Sequence, residues 1–246
     1  MKKMLFIAAL VGGLSCHAQA DSQVTVYYPG SAQTAVVNGA QTLSQLLASP
    51  ALKDRSWWPG TVIAEPLATA AAQRDYQQTL TRLQRWAASE DGEQATAINA
   101  VLQQLKAVRV TGRQFTSLDP DWIRLRPEAN RRLAGAYQLY TLQRPDSVTL
   151  AGAIEGSGRV PWQPGRDTRA YLADHARLSG AERNVATVIS PDGATQEVPV
   201  AYWNHRHVEV APGSTIYLGF SSWALPAEYQ DLNQHIISVL THRIPD

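Results

Sequence analysis

Cysteine is nearly absent from this sequence, because Cys16 is the only one in 246 residues. A chain with a single thiol can form no internal disulfide and no zinc site built on several cysteines. If the N-terminal segment that carries Cys16 is removed, the remaining chain has no thiol. We therefore expect the stability of the fold to come from burial of apolar side chains.

A strong charge of one sign is also missing. The chain has 22 basic and 21 acidic residues, and the loss of Lys2 and Lys3 would leave the rest close to neutral. This balance does not favour nucleic acid as a partner. Beyond residue 20 there is no apolar run near the ~20 residues that a membrane-spanning helix requires. We therefore do not expect the mature chain to span a membrane.

Residues 1–20 have the features of a signal peptide. Two lysines precede an apolar run at 4–14, and the small residues of AQA at 18–20 form a cleavage site. This pattern predicts a signal peptide that is cut after Ala20, and hence a periplasmic protein. Lipidation of Cys16 is the alternative, but the leucine before it lies one position too close for a good lipoprotein signal.

The second half of the chain alternates short apolar runs with turn residues, which predicts a β-grasp domain at residues 146–222. Asp167 is placed to cap a helix between two pairs of strands. Turn residues at 156–158 and 191–193 divide the strands. In order, the predicted elements are strands at 148–154 and 159–162, a helix at 168–176, and strands at 185–189, 196–202 and 215–218.

The first half repeats the start of this pattern, which predicts another β-grasp domain at residues 21–145. Thr42 is placed to cap its short helix. Two stretches of helical periodicity interrupt the domain at about 66–107, so we predict an inserted helical hairpin there. The hairpin is either a spacer or a docking arm for another subunit. The strands expected in this domain are at 24–28, 34–37, 108–110, 122–125 and 137–142.

An amphipathic helix is predicted within residues 223–246, beginning near Pro226. Apolar residues recur at helical spacing, and polar residues fall between them. The apolar stripe consists of Tyr229, Leu232, Ile236 and Leu240. The helix is too short and too polar on one side to cross a bilayer. We expect it to cover its own second domain, which would complete an α+β fold and keep the protein monomeric.

Signatures of catalysis are scarce. The sequence has no nucleophile elbow, phosphate-binding loop, dinucleotide fingerprint or zinc-protease helix. His205 and His207 alternate with Glu209, but an exposed histidine pair is favoured over a metal site. Asp119 and Asp121 flank a proline, which favours a turn over a catalytic pair. We therefore predict no catalytic residue, no metal and no cofactor, and the protein is not expected to be an enzyme.

Aromatic and arginine side chains are the candidate binding residues. Aromatic rings stack on the apolar faces of sugars, and charged groups bind the adjacent hydroxyls. Arg113 follows a Thr-Gly pair that permits close approach to the backbone, and a guanidinium suits carboxylated or phosphorylated glycans. The alternatives are loop anchors for the aromatic residues and an interdomain ion pair for Arg113. The candidate set is Arg113, Trp57, Trp58, Trp162 and Trp203.

Five short motifs follow one another along nearly the whole chain after residue 20. They are WWPG at 57–60, TGR at 111–113, LDPD at 118–121, PGRD at 164–167 and PVAYWN at 199–204. In these motifs the chain resembles the GfcC/YjbG family of periplasmic capsule and exopolysaccharide proteins. The order of elements in the second half is also similar to the SLBB-like β-grasp domains of polysaccharide-export proteins.

The resemblance implies a non-catalytic periplasmic accessory protein that assists the assembly or export of capsule or exopolysaccharide. Such a protein would bind glycan, protein partners or both. The implied partners are a polysaccharide, which Arg113 would suit if it is anionic, and an outer-membrane β-barrel protein and a lipoprotein of the same pathway. A glycan-modifying enzyme and a purely structural adaptor are the alternatives.

Overall fold

A computed structural model describes residues 21–53 and 56–244 of the chain. The predicted signal peptide lies outside the described residues. The described residues form a mixed α+β structure with two sheets, a helical hairpin and a C-terminal helix. The α+β class predicted from the sequence is therefore confirmed.

The first sheet contains four strands in the order β2-β1-β4-β3. They are β1 (Gln23–Tyr27), β2 (Thr34–Asn38), β3 (Val62–Ala64) and β4 (Ala136–Tyr140). β1 is antiparallel to β2 and parallel to β4, and its alternating residues Val24 and Val26 are fully buried. Helix α1 (Leu43–Leu47) packs on the same core, and the hydroxyl of Thr42 accepts a hydrogen bond from the amide of Gln45. The predicted cap at Thr42 is thus confirmed.

Two strands predicted for the first half are wrong, and one strand was not predicted. Residues 122–125 lie in helix α4 (Pro120–Leu125), because Pro120 suits a first helical position and Asp119 caps the free amides. Residues 108–110 form no strand, and Val110 makes only an isolated bridge to Arg243. The sheet is completed instead by β3, whose three buried residues are too few to show an alternating pattern.

The helical hairpin consists of α2 (Pro66–Ser89) and α3 (Gly92–Lys106), as the periodicity predicts. Trp86 of α2 is fully buried. Its ring lies 4.8 Å from that of Phe220, edge to face, and 5.7 Å from that of Tyr229. Phe220 and Tyr229 come from the second half of the chain, so the hairpin packs into the core of the second sheet.

The second sheet has five strands in the order β6-β5-β9-β7-β8, with β5 and β9 parallel at its centre. They are β5 (Ser147–Gly152), β6 (Gly158–Pro161), β7 (Val185–Ile189), β8 (Thr195–Pro199) and β9 (Thr215–Leu218). Helix α5 (Thr168–Leu172) lies between β6 and β7 in the chain, and the Asp167 carboxylate accepts a hydrogen bond from the amide of Ala170. The predicted cap at Asp167 is confirmed.

Three elements of the second half end more than one residue earlier than predicted, and the first is β5, which ends at Gly152 rather than at residue 154. α5 ends at Leu172, because residues 173–176 leave the helix and the carbonyl of Ala176 accepts a hydrogen bond from the amide of Glu155. β8 ends at Pro199, because the following residues turn into a loop held by Asn204. The contact at the end of α5 joins residues far apart in the sequence, whereas the one at the end of β8 is local.

The C-terminal helix α6 (Leu232–Thr241) packs against α2 and β7. Its buried stripe includes Leu232, Ile236 and Leu240, so the apolar face is covered within the chain. At the polar side, Arg82 of α2 forms an ion pair with Asp231. Among residues 21–53 and 56–244, no helix combines the length and apolar character of a transmembrane span.

Candidate functional site

A polar cavity of about 370 Å³ lies where turns of the two sheets meet. Pro29 and Gly60 line it from the first half of the chain, and Pro191 and Gly213 line it from the second. Four arginines also line it, and we call it the arginine cleft. They are Arg113, Arg144, Arg159 and Arg243. Within the described part of the chain, Asp146 is the only acidic residue that lines the cleft.

Arg113 is buried, with 7% of its surface exposed. Its Nη1 donates to the carbonyl of Thr241 at 3.1 Å, and its Nη2 donates to the carbonyl of Pro191 at 2.6 Å. Burial and the nearby charge of Arg243 lower the pKa of Arg113 to about 10, and Asp192 offsets part of this effect. The guanidinium therefore stays charged at neutral pH while it links α6 to the β7–β8 turn.

The position of Arg113 is set by close backbone packing on both sides. A Cβ added at Gly112 would lie 2.1 Å from the amide nitrogen of Thr69 in α2. The sequence predicted that another chain or a ligand approaches the backbone at this glycine, and the structure shows that the first turn of α2 does so. Gly193 adopts a φ of +90°, and a Cβ there would lie 2.9 Å from Nη1 of Arg113. A side chain at this position would therefore press on the guanidinium as well as strain the turn.

Trp162 supports a second arginine of the cleft. Its indole Nε1 donates to the carbonyl of Val210 at 2.7 Å, which fixes the ring. The guanidinium carbon of Arg144 lies 5.5 Å from the centre of this ring, within the range of a cation–π contact. Trp162 thus contributes to the cleft by orienting Arg144, whose side chain is exposed.

A cavity of about 310 Å³ adjoins the arginine cleft and shares Thr149, Arg159 and Arg243 with it. Ile236 and Leu240 of α6 form part of its apolar wall. Thr215 also lines it, and its buried hydroxyl has no hydrogen-bond partner among the described residues. The two cavities together place charged, apolar and hydroxyl groups side by side.

The structure does not bring the five predicted binding residues together in one site. Trp57 reaches the edge of the cleft, because its ring packs against Gly60. Trp58 is half buried and packs on the core of the first sheet, which matches the alternative of a loop anchor. Trp203 is 76% exposed and does not line the cleft. Only Arg113 of the five candidates lines the cleft directly.

The residues considered for catalysis have structural contacts. Asp119 accepts hydrogen bonds from the amides at the start of α4. The Nε2 of His205 lies 2.6 Å from the Asp167 carboxylate, and His207 lies 3.7 Å from it. Burial tends to raise the pKa of Asp167, but the amide of Ala170 and the two histidines outweigh it and the pKa is lowered. Among the described residues, no group of three or more possible metal ligands converges.

Three of the four arginines of the cleft are not among the binding residues predicted from the sequence. Arg144 lies in the connection after β4, Arg159 on β6 and Arg243 just after α6. Nothing in the local sequence around them indicates a shared site, because they meet only when the two sheets and α6 are assembled. The one available signal was the set of Pro-Gly and Asp-Gly turns, several of which line the cleft.

Comparison with known proteins gives consistent results for both halves of the chain. Residues 20–144 match the family model for the N-terminal part of the capsule biosynthesis protein GfcC, and residues 156–245 match the model for its C-terminal part. The chain is also 45% identical over 245 residues to the uncharacterized protein YjbG of Escherichia coli (strain K12). The alignment covers 100% of both proteins.

Proposed function

This chain belongs to the GfcC family of capsule biosynthesis proteins, and we propose that it is a periplasmic accessory protein that binds an acidic stretch of capsule or exopolysaccharide in the arginine cleft. One observation carries the proposal. Four arginines and one aspartate line the same cavity among the described residues. This excess of positive charge is local, because the whole chain is close to neutral.

The chemistry of the cleft suits carboxylates and phosphates. A guanidinium binds such groups through parallel hydrogen bonds, which strengthen where water is partly excluded. Arg113 uses two of its N–H groups on carbonyls, which leaves further donors for a ligand. Arg144 and Arg159 have exposed side chains at the mouth of the cleft. An acidic sugar can therefore meet both a buried and an accessible positive charge.

The adjoining cavity suits the sugar ring itself. Sugars present apolar faces between rings of hydroxyls, and they bind best where apolar and polar groups alternate. Val108 and Ile244 line this cavity and are partly exposed, so they supply apolar surface beside Arg159 and Arg243. The apolar face of a sugar ring can pack on this surface while an adjacent acidic group meets the arginines.

We propose that this function is binding without catalysis. Cleavage of a glycan generally requires two carboxyl groups on opposite sides of the bond. Among residues 21–53 and 56–244, Asp146 is the only acidic residue that lines the cleft. The carboxylates of Asp119 and Asp167 cap helices, so each has a structural role that requires no catalysis. A glycan-modifying enzyme and a structural adaptor remain the competing functions, and turnover of purified glycan would favour the enzyme.

We also propose that the two sheets belong to SLBB-like β-grasp domains, at residues 21–145 and 146–222, followed by the C-terminal segment 223–246. The order of strands supports this assignment. In each sheet the strands that come first and last in the chain are parallel neighbours, β1 beside β4 and β5 beside β9. The proposed partners are an outer-membrane β-barrel protein and a lipoprotein of the same pathway. The proposed state is a monomer.

Equilibrium binding of purified acidic exopolysaccharide from the host tests the proposed function. The Arg144→Glu/Arg159→Glu double variant reverses two accessible charges of the cleft, and we expect it to lose at least about tenfold in affinity. The Arg124→Glu/Arg126→Glu double variant provides the matched control, because both arginines are exposed, neither lines the cleft and the net charge changes by the same amount. Equal binding by the wild type and the double variant would exclude the arginine cleft as the site.

A further inference from the structure

A second groove lies at the other end of β7 from the arginine cleft. Asn184, just before β7, lines this groove, whereas Pro191, just after β7, lines the cleft. The groove has a volume of about 700 Å³ and includes apolar residues such as Leu172 and Val200. We call it the aromatic groove. The side chains that give it its chemistry are Tyr202, Arg169, Arg177 and Arg183.

The loop at the edge of the groove holds two aromatic rings out in solvent. Tyr202 is 89% exposed and Trp203 is 76% exposed. Asn204 fixes the loop, because its Oδ1 accepts from the amide of Ala201 at 3.0 Å and its Nδ2 donates to the carbonyl of Asn184 at 3.2 Å. Adjacent exposed aromatic residues on an anchored loop are typical of a binding surface.

Positive charge lies beside Tyr202 in the groove. The guanidinium carbon of Arg169 lies 5.8 Å from the ring centre of Tyr202, and Arg177 and Arg183 are exposed. No acidic residue lines the groove in the described part of the chain. The nearby carboxylate of Glu182 accepts from the amides of Arg183 and Asn184, so it is engaged with the backbone. The groove thus combines a stacking surface with an excess of cations.

We propose that the aromatic groove binds acidic sugar units of the same glycan that occupies the arginine cleft, so that the protein holds one chain at two points. This proposal rests on the proposed function and adds a second site to it. Tyr202 and Trp203 would stack on the apolar faces of sugar rings. Arg177 and Arg183 would bind their carboxylates.

The separation of the two sites predicts a dependence on chain length. An extended strand rises about 3.3 Å per residue, so the ends of β7 place the groove and the cleft roughly 20 Å apart. A short fragment can occupy only one of them. A longer chain that reaches both converts its second contact into an intramolecular step and binds more tightly. Affinity should therefore rise steeply once the glycan spans β7.

Short and long fractions of oligogalacturonate, a chain of uronic acids, are the probes for this test. We expect the wild type to bind the long fraction more tightly, by about tenfold or more. The Tyr202→Ala/Trp203→Ala variant should lose that gain and bind the long fraction about as weakly as the short one, because only the arginine cleft still binds either fraction. Trp223→Ala is the matched control, because Trp223 is 73% exposed and does not line the groove.

The outcomes separate the two proposals. If the Tyr202→Ala/Trp203→Ala variant binds the long fraction as tightly as the wild type while the Arg144→Glu/Arg159→Glu variant does not, the second site is wrong and the proposed function stands. If charge reversal in the cleft changes nothing, the proposed function is wrong. Photo-crosslinks from position 203 to a protein, with unchanged glycan affinity, would assign the groove to a protein partner and overturn the second site.

Discussion

Arg113 donates a hydrogen bond to the carbonyl of Thr241, the last residue of α6, from a position 128 residues earlier in the chain. A helix ends with unsatisfied carbonyls and a partial negative charge, so a cation is favoured at this place. The same guanidinium also donates to the carbonyl of Pro191 in the β7–β8 turn. One side chain of the arginine cleft therefore joins α6 and the second sheet to the segment that follows the helical hairpin.

Replacement of Arg113 should lower stability as well as binding. Arg113→Ala removes charged donors from two carbonyls, and we expect the free energy of unfolding to fall by about 2 to 4 kcal/mol. Arg113→Lys keeps the charge but loses the planar arrangement of donors. Its free energy of unfolding should therefore lie between those of Arg113→Ala and the wild type. Urea denaturation of the three proteins measures this order. An Arg113→Ala protein as stable as the wild type would show that the two hydrogen bonds contribute nothing.

Gly193 should be intolerant of a side chain because of its contact with Arg113. Gly193→Ala adds backbone strain at a φ of +90° and a Cβ that meets the ring of Phe115 at 2.8 Å and Nη1 of Arg113 at 2.9 Å. Gly165→Ala is the matched control, because Gly165 has a φ of +73° and nothing within 4 Å of an added Cβ. We expect Gly193→Ala to be less stable than the control by about 1 kcal/mol or more. Equal melting temperatures for Gly193→Ala and Gly165→Ala would show that backbone strain alone causes the loss of stability.

The Arg82–Asp231 pair should stabilise the contact between α2 and α6 in a pH-dependent way. The hydrogen bond from Arg82 lowers the pKa of Asp231 from 3.8 to about 2. Because the folded pKa is below the unfolded one, the contribution is complete above about pH 4 and is lost as the pH falls towards 2. The difference in melting temperature between the wild type and Arg82→Met should therefore be larger at pH 6 than near pH 2. A difference of the same size at both pH values would assign the effect to packing and to the hydrogen bond from Arg82 to the carbonyl of Glu228.

Removal of the C-terminal helix should expose an apolar surface. Leu232, Ile236 and Leu240 are buried against the rest of the chain, and each side chain contributes roughly 1.5 to 3 kcal/mol by its burial. Truncation before Pro226 should therefore give a protein that aggregates or associates with itself. Light scattering on the full chain and the truncation measures this change. A truncated protein that is folded and monomeric would contradict the role given to the helix. A full-length protein that assembles into a ring would contradict the proposed monomeric state.

Local signals in the sequence predict local structure well. Thr42 and Asp167 both accept backbone amides as expected, because a cap depends only on residues within one turn. The long helices also follow from their apolar period, which repeats over many residues. By contrast, β3 is too short to carry a pattern, and residues 122–125 look apolar whether they form a strand or a helix. Their state depends on the proline and aspartate that precede them.

The candidate site was only partly predictable for a related reason. Arg113 was identified from its own motif, but the sequence did not reveal that it would be buried against Thr241 and Pro191. Arg144 and Arg243 join it only through the packing of α6 and the turns between strands. A site assembled from separate loops leaves no spacing to recognise, whereas the folded chain brings its charges together.

The central claim is that the arginine cleft binds acidic groups of a glycan. Its most direct test is calorimetric titration of the wild-type protein with the host exopolysaccharide, before and after chemical reduction of its carboxyl groups to alcohols. We predict saturable binding of the intact polymer that weakens with added salt, and binding of the reduced polymer that is weaker by at least about tenfold. Equal affinity for the two polymers would contradict the account.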